Sequence, residues 1–366
     1  MKPLVKLIPE KFRNISDKVL NGERIFPHEA LLLLDDAPLS LLGLLAVKVK
    51  EKKRGKIVFY NRNFHLEPTN ICIFNCKFCS YRKPADSPEA WFMGTEEMLD
   101  IVSGYKNTGV TEVHIVGGVH QDRDFYYYVD LIKKIKKILP DITVKAFSAV
   151  EIDSMINKAG LSLEKGLGLL KESGMEAMPG GGAEIFDEKL RYELCGQKCS
   201  SDRWLQVHET AHSLGISSNA TMLYGHIENN EHRIDHLSRL RDLQDRTNGF
   251  NAFIPLKYRN LNNSLSEIGE VPVTEDMRVL AVTRIYLDNF PHIKAYWPMY
   301  GKNTTQLALN FGADDIDGTI DDTTKIYSMA GAEERKPSMT VTDMRKLIEG
   351  AGYMAVERDS FYNVIK

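Results

Sequence analysis

Runs rich in β-branched and aromatic residues alternate with amphipathic runs of helical period along most of this chain, which predicts repeated strand–helix units. The candidate strands are Phe64–Ile71, Glu112–Gly117, Thr143–Ser148, Glu176–Pro179, Ser217–Tyr224, Phe250–Leu256, His292–Trp297 and Asp314–Thr319. Helices between them carry their own start and stop signals. Thr95–Asn107 has Glu96 and Glu97 in its first turn, Phe125–Leu139 ends at Pro140, Ser162–Ser173 at Gly174 and Ser201–Leu214 at Gly215. Glu231–Arg246 sets Ile234, Leu237, Leu240 and Leu243 on one face, and Thr274–Asn289 and Thr304–Phe311 complete the series. Eight strands, each leading toward a helix, predict an α/β fold closed as a TIM-like (β/α)8 barrel.

Ahead of the first strand, Phe12–Leu20, His28–Leu34 and Leu41–Arg54 read as helices. The expected organisation is an N-terminal helical extension (1–60), the barrel (61–325), and a C-terminal extension (326–366). In that last part Thr342–Glu349 and Tyr353–Val356 form a helix and a short strand packed on the barrel. The basic run KVKEKKR closes the third helix and reads as a solvated helix end. A net charge of −3 over 366 residues supports neither a nucleic-acid nor an acidic-membrane partner. Nor does any apolar run approach the ~18 residues of a membrane span; the longest candidate, Ala30 to Val47, is broken by Asp35, Asp36 and Pro38. The opening MKPLVKLIPEKFRN lacks the apolar core of a secretory signal, so the expected location is cytoplasmic.

The five cysteines sharpen this picture. Cys72, Cys76 and Cys79 stand in the segment HLEPTNICIFNCKFCSYR with x3 and x2 spacing, just past the first strand and so at the catalytic end of a barrel. Thiolates suit iron–sulfur centres, and a four-iron cluster normally takes four of them. Three leave one iron open to an exogenous ligand, an arrangement for catalysis. The alternatives are a zinc site lacking its fourth ligand, for which His65 is the nearest candidate, or incidental cysteines. Cys195 and Cys199 form a second pair that lies outside the strand ends and reads as two ordinary thiols of a helical region.

The C-x3-C-x-aromatic-C loop resembles that of the radical S-adenosylmethionine superfamily. The resemblance implies a 4Fe–4S cluster on Cys72, Cys76 and Cys79 whose open iron binds S-adenosylmethionine, here a co-substrate, with an electron donor such as flavodoxin or ferredoxin. It implies contacts to S-adenosylmethionine from Phe78, Tyr81, Gly117, Gly118, Ser148, Glu151 and Glu184. Within that set, the Gly117–Gly118 backbone would receive the methionyl amine, Glu151 with Ser148 the methionyl end, and Glu184, after Gly180–Gly182, the ribose. Either glutamate is otherwise a helix N-cap neighbour.

The segments EPTNICIFNCKFCSYR, GGVHQD, PGGGAEIF, NATMLYGHIE, AFIPL, HIKAYW and FGADDIDGT occur in this order. Together they resemble the group of aminofutalosine synthases and dehypoxanthine futalosine cyclases of menaquinone biosynthesis, and KAFSAVEI and IKAYW are more similar to the synthases. This implies addition of the 5′-deoxyadenosyl radical to the vinyl carbon of 3-(1-carboxyvinyloxy)benzoate, an enolpyruvyl benzoate, with rearrangement and decarboxylation to 6-amino-6-deoxyfutalosine. The cyclase reaction and a deazaflavin-synthase-like reaction are the alternatives. A substrate with two carboxylates and an arene needs polar donors and a flat apolar wall. Asn219, Arg259 and Lys294, with Lys257, are candidates for the first; Tyr224, Tyr296 and Trp297 for the second. His226 is a further substrate candidate.

Overall fold

The structure, a computed structural model, describes residues 8–321, 326–332 and 337–365. Helices Glu10–Asn21, Pro27–Asp36 and Leu39–Arg54 open it. They pack through Phe12, Leu33, Leu42 and Leu45, all fully buried. Gly55, at φ 59°, ends the third helix, and the apolar run after it is a strand, β1 (Ile57–Asn61). The expected all-helical segment 1–60 is therefore corrected: a boundary at 60/61 would cut this strand. The boundary drawn at 325/326 falls at the edge of residues 322–325, which lie outside the described set.

The barrel strands follow as β2 (Asn63–Leu66), β3 (Glu112–Ile115), β4 (Thr143–Ala146), β5 (Met175–Met178), β6 (Ser217–Tyr224), β7 (Phe250–Lys257), β8 (His292–Ile293) and β9 (Asp315–Gly318). All eight coincide with predicted strands, mostly shortened at their carboxyl ends, where the chain leaves the ladder to form the site. The intervening helices start on side-chain caps: Asp124, Ser162 and Ser200 each accept from the backbone N–H three residues on. The short helices Ala149–Lys158, Glu188–Cys195, Trp297–Tyr300 and Ile326–Met329 are not among the predicted ones.

The closure differs from a uniform barrel. β2 to β8 form a seven-stranded parallel sheet in sequence order, whereas β9 belongs to a second sheet of order β10–β1–β9, with β10 spanning Met354–Glu357. One bridge, Lys294 to Asp315, links the two beside β8. On the opposite side Asn63 closes the ring through side chains. Its N–H donates to Thr319 Oγ1 at 3.0 Å, its carbonyl accepts from that hydroxyl at 2.7 Å, and its Oδ1 accepts from the Ile320 N–H at 2.9 Å. The result is a curled TIM-like α/β fold with helices outside. Among the described residues no helix is long and apolar enough to cross a membrane.

Candidate active site

The cysteine loop is held down before any ligand binds. Thr69 Oγ1 donates to the Trp91 carbonyl at 2.8 Å, and the Asn70 side chain brackets the Glu89 carbonyl and the Trp91 N–H. Tyr81 is buried, with its hydroxyl on the Thr69 carbonyl at 3.1 Å. Cys72, Cys76 and Cys79 then face a cavity of about 330 Å³ at the carboxyl ends of the strands, with Phe78 and Tyr81 beside them. Among the described residues no three metal-ligating side chains converge on one point. Three thiols on one loop suit a four-iron cluster, which takes each thiolate at a separate corner. The Val119 N–H points at Cys72 Sγ at 3.4 Å, a donor placed for a thiolate. Burial pushes the Cys72 and Cys79 thiols up, while a hydrogen bond from Cys195 lowers Cys76 against its burial.

Cys195 thus packs beside Cys76 at the end of its helix, and the Lys77 N–H donates to the Leu194 carbonyl at 2.9 Å. The expectation that this pair lies away from the strand ends is corrected for Cys195. Its neighbour Cys199 is half-buried, and its carbonyl accepts from Arg191.

Gly117 and Gly118 run close under the cysteine loop. A Cβ on Gly118 would stand 2.2 Å from the Ile71 carbonyl oxygen, so only glycine fits. The Gly117 N–H donates to Glu151 at 3.1 Å, and the other Glu151 oxygen accepts from the Ser148 N–H at 2.8 Å and the Ser148 hydroxyl at 2.6 Å. Ser148 and Glu151 also form the capping box of the helix Ala149–Lys158. Both carboxylate oxygens thus bond to the protein, and Glu151, which also lines the cavity, braces the glycine pair. Its carboxyl is pushed up to about 7 by burial, against those hydrogen bonds.

Across the cavity, Arg191 staples the triple-glycine turn through the Gly182 and Ala183 carbonyls at 3.0 and 2.6 Å. Glu184 follows at φ 51° and accepts from Lys198 Nζ at 2.6 Å. Lys198, itself lining the cavity and 5.3 Å over the Phe78 ring, escaped the sequence analysis; no local motif marks it.

Of the expected substrate groups, Asn219, Lys257, Arg259, Lys294 and Tyr296 line the cavity. Tyr224, His226 and Trp297 do not, and each is a correction. On β6 the inward positions are Asn219, Thr221 and Leu223, so alternation turns Tyr224 away. Its hydroxyl donates to Asp276 at 2.8 Å, beside Tyr300. The His226 ring meets the Leu223 carbonyl at 3.0 Å, and Glu228 clamps the Gly225 and His226 N–H groups, making this element a turn lock. The Trp297 indole donates to the Gly318 carbonyl at 2.9 Å inside the wall. Below the glycine layer the cavity continues among His65, Glu112, His114, Lys145 and Asp317, none of which the sequence analysis singled out as cavity residues. Strand alternation carried through β2, β3, β4 and β9 is the signal that finds them.

Residues 66–240 match the Radical SAM superfamily model and residues 247–366 the CofH/MqnC C-terminal region. The chain is 40% identical to an aminodeoxyfutalosine synthase of Thermus thermophilus over 99% of this chain and 96% of that one. It is 36% identical to a cyclic dehypoxanthine futalosine synthase of Streptomyces coelicolor, covering 95% and 87% of the two chains. Among solved structures, methylornithine synthase superposes with a TM-score of 0.70 at 20% identity over 93% of this chain and 96% of that one, a likeness of fold.

Proposed function

The chain belongs to the radical S-adenosylmethionine superfamily, and on that premise we propose that it catalyses the aminofutalosine synthase reaction. In this reading the adenosyl group of S-adenosylmethionine is joined to the vinyl carbon of 3-(1-carboxyvinyloxy)benzoate, the adduct rearranges on the arene, and a carboxyl group is lost. Cys72, Cys76 and Cys79 would hold a 4Fe–4S cluster. When bound and reduced, by a donor of the flavodoxin or ferredoxin type, it supplies the electron that cleaves the sulfonium.

The protein's own residues have distinct tasks. The Gly117–Gly118 backbone receives the methionyl end, with Ser148 and Glu151 holding that backbone in place. Glu184, fixed by Lys198, receives ribose hydroxyls, since a carboxylate accepts from two at once. Phe78 and Tyr81 exclude water beside the thiols. A deep chamber keeps the reactive carbon from solvent and from side reactions. The observation that carries the proposal is one cavity in which three thiols, a bare glycine backbone and a polar, partly aromatic chamber meet; a relative named for this reaction, 40% identical over nearly the full length of both chains, supports the same choice.

The test follows the adenosyl group. With adenosine-labelled S-adenosylmethionine, reductant and the enolpyruvyl benzoate under anaerobic conditions, label should enter a nucleoside carrying the benzoate fragment, in step with methionine release. Label ending as free 5′-deoxyadenosine while dehypoxanthine futalosine is consumed would replace this reading with the cyclase one.

A further inference from the structure

The interior of a parallel β/α barrel is ordinarily filled with branched apolar side chains. Here its lower layer is polar and opens into the cavity. Parallel register sets His65 opposite His114 and His114 opposite Lys145, so β2, β3 and β4 present three polar side chains at one level. Glu112, one inward position lower on β3, holds Lys145 at 2.5 Å. From the far wall Lys294 reaches Asp317 at 3.2 Å. Asp315 stands 3.8 Å from Lys294 and is itself held by Arg358, so the floor is neutral in formal charge, yet it brings two ammonium groups together. Burial, joined by the positive fields of Lys294 and Arg358, pushes the Lys145 ammonium below its usual range against the pull of Glu112. His114 Nε2 is buried with no hydrogen-bond partner among the described residues, and burial keeps that ring neutral.

We propose that this floor is the subsite for the ring carboxylate of the aromatic substrate, gripped by Lys145 and Lys294 with a hydrogen bond from His114. The inference rests on the reaction proposed above and fixes the substrate's direction. Its vinyl carbon has to meet the adenosyl carbon near the mouth, where the thiols stand. The carboxylate on the far side of the ring then points down the barrel axis. Leu223 and Tyr296 lie one inward position above Thr221 and Lys294, forming an apolar belt at the level of the ring. A carboxylate at the floor accepts charge-assisted hydrogen bonds and relieves the repulsion between the two lysines.

The experiment uses the cluster-reconstituted enzyme with S-adenosylmethionine and no reductant, so that binding is read without turnover. Calorimetric titration compares 3-(1-carboxyvinyloxy)benzoate with 2-phenoxyacrylate, the same ether lacking the ring carboxylate. The second should bind about 10- to 100-fold more weakly, the scale of a hydrogen bond to a charged group. Lys294→Gln, and the double variant Lys145→Met with Glu112→Gln, which removes an ion pair as a unit, should weaken only the first ligand. Equal binding of both ligands to the unaltered enzyme overturns the subsite. So do variants that weaken both ligands alike, which would make the lysines purely structural. Should a variant not fold, the ligand pair on the unaltered enzyme decides alone. Turnover of the enolpyruvyl benzoate together with indifference to its ring carboxylate removes the subsite but leaves the function. Failure of that compound both to bind and to react removes the function.

Discussion

At the mouth of the cavity the chain presents thiols and bare backbone, held by short-range clamps; at the floor, β2, β3, β4, β9 and the residue after β8 converge to present polar and charged side chains. The mouth tolerates almost no change of shape, because Gly117, Gly118 and Gly180 lie against neighbouring backbone. The floor is a set of side chains on a sheet whose hydrogen bonding does not depend on them. A fold can therefore keep one radical-generating mouth and vary the floor, and substrate choice is expected to reside in the second. Changes at the mouth should abolish function, whereas changes at the floor should alter which molecule is accepted.

The largest expected effect tests the mouth. Cys76→Ala should remove the brown chromophore and all turnover, read by iron and sulfide content and visible absorption. Cys199→Ala should keep both. Cys195→Ala is the sharper case because that thiol hydrogen-bonds to Cys76. Retention of a full four-iron complement there confirms three ligands, and its loss would mean that the second cysteine pair shares in ligation.

The next effect contrasts two glycines. Gly118→Ala drives a Cβ to within 2.2 Å of the Ile71 carbonyl oxygen, and relief requires displacing the strap that carries Cys72. The expected cost is about 3 kcal/mol, the upper end of overpacking, with weakened S-adenosylmethionine binding. Gly168, in the helix Leu163–Ser173, has nothing within 4 Å of its missing Cβ. Gly168→Ala should raise stability by about 0.5–1 kcal/mol and leave binding alone. Urea unfolding of both variants checks the contrast; a harmless Gly118→Ala would show that the strap is not held by close approach.

The same division explains what the sequence disclosed. The cysteine triad, the paired glycines and the triple glycine are contiguous, so spacing along the chain carries their geometry. His65, His114, Lys145 and Asp317 are spread over some 250 positions; sheet register brings the first three together, and closure of the barrel by β9 adds Asp317. Tyr224 and Trp297 are aromatics near strand ends, but alternation sets Trp297 on the face opposite Lys294 and Tyr296 and turns Tyr224 away from Asn219 and Leu223, so neither joins the wall. The barrel strands were legible from their apolar runs. Their closure was not, because it depends on Asn63 and Thr319 exchanging side-chain hydrogen bonds in place of a ladder. β1 was hidden because a basic helix end and an apolar strand are separated by little more than Gly55.

The smallest effect separates mouth from floor by pH. Burial raises the Glu151 carboxyl from its ordinary 4.5 to about 7, although the Ser148 side chain and N–H, the Gly117 N–H and the Lys198 charge all favour its ionised form. The native protein therefore holds this proton more tightly than the unfolded chain. The stability arising from that difference is complete below about pH 4.5, shrinks as pH rises, and is gone above about pH 7. At the floor the sign is opposite. Against burial, Lys145 and Arg358 hold Glu112 well below the usual carboxylate range, so its contribution is complete above about pH 4.5 and is lost only in acid. Between pH 5 and 8, then, the stability gap between the unaltered protein and Glu151→Gln should fall with rising pH, by at most about 1.4 kcal/mol per unit. The gap for Glu112→Gln should stay level over the same range. Urea unfolding of the cluster-free protein at several pH values measures both. A level Glu151 gap would mean that the carboxyl is already ionised at pH 5. Its hydrogen bonds to Gly117 and Ser148 would then be those of a permanent anion, and mouth and floor would share one electrostatic design.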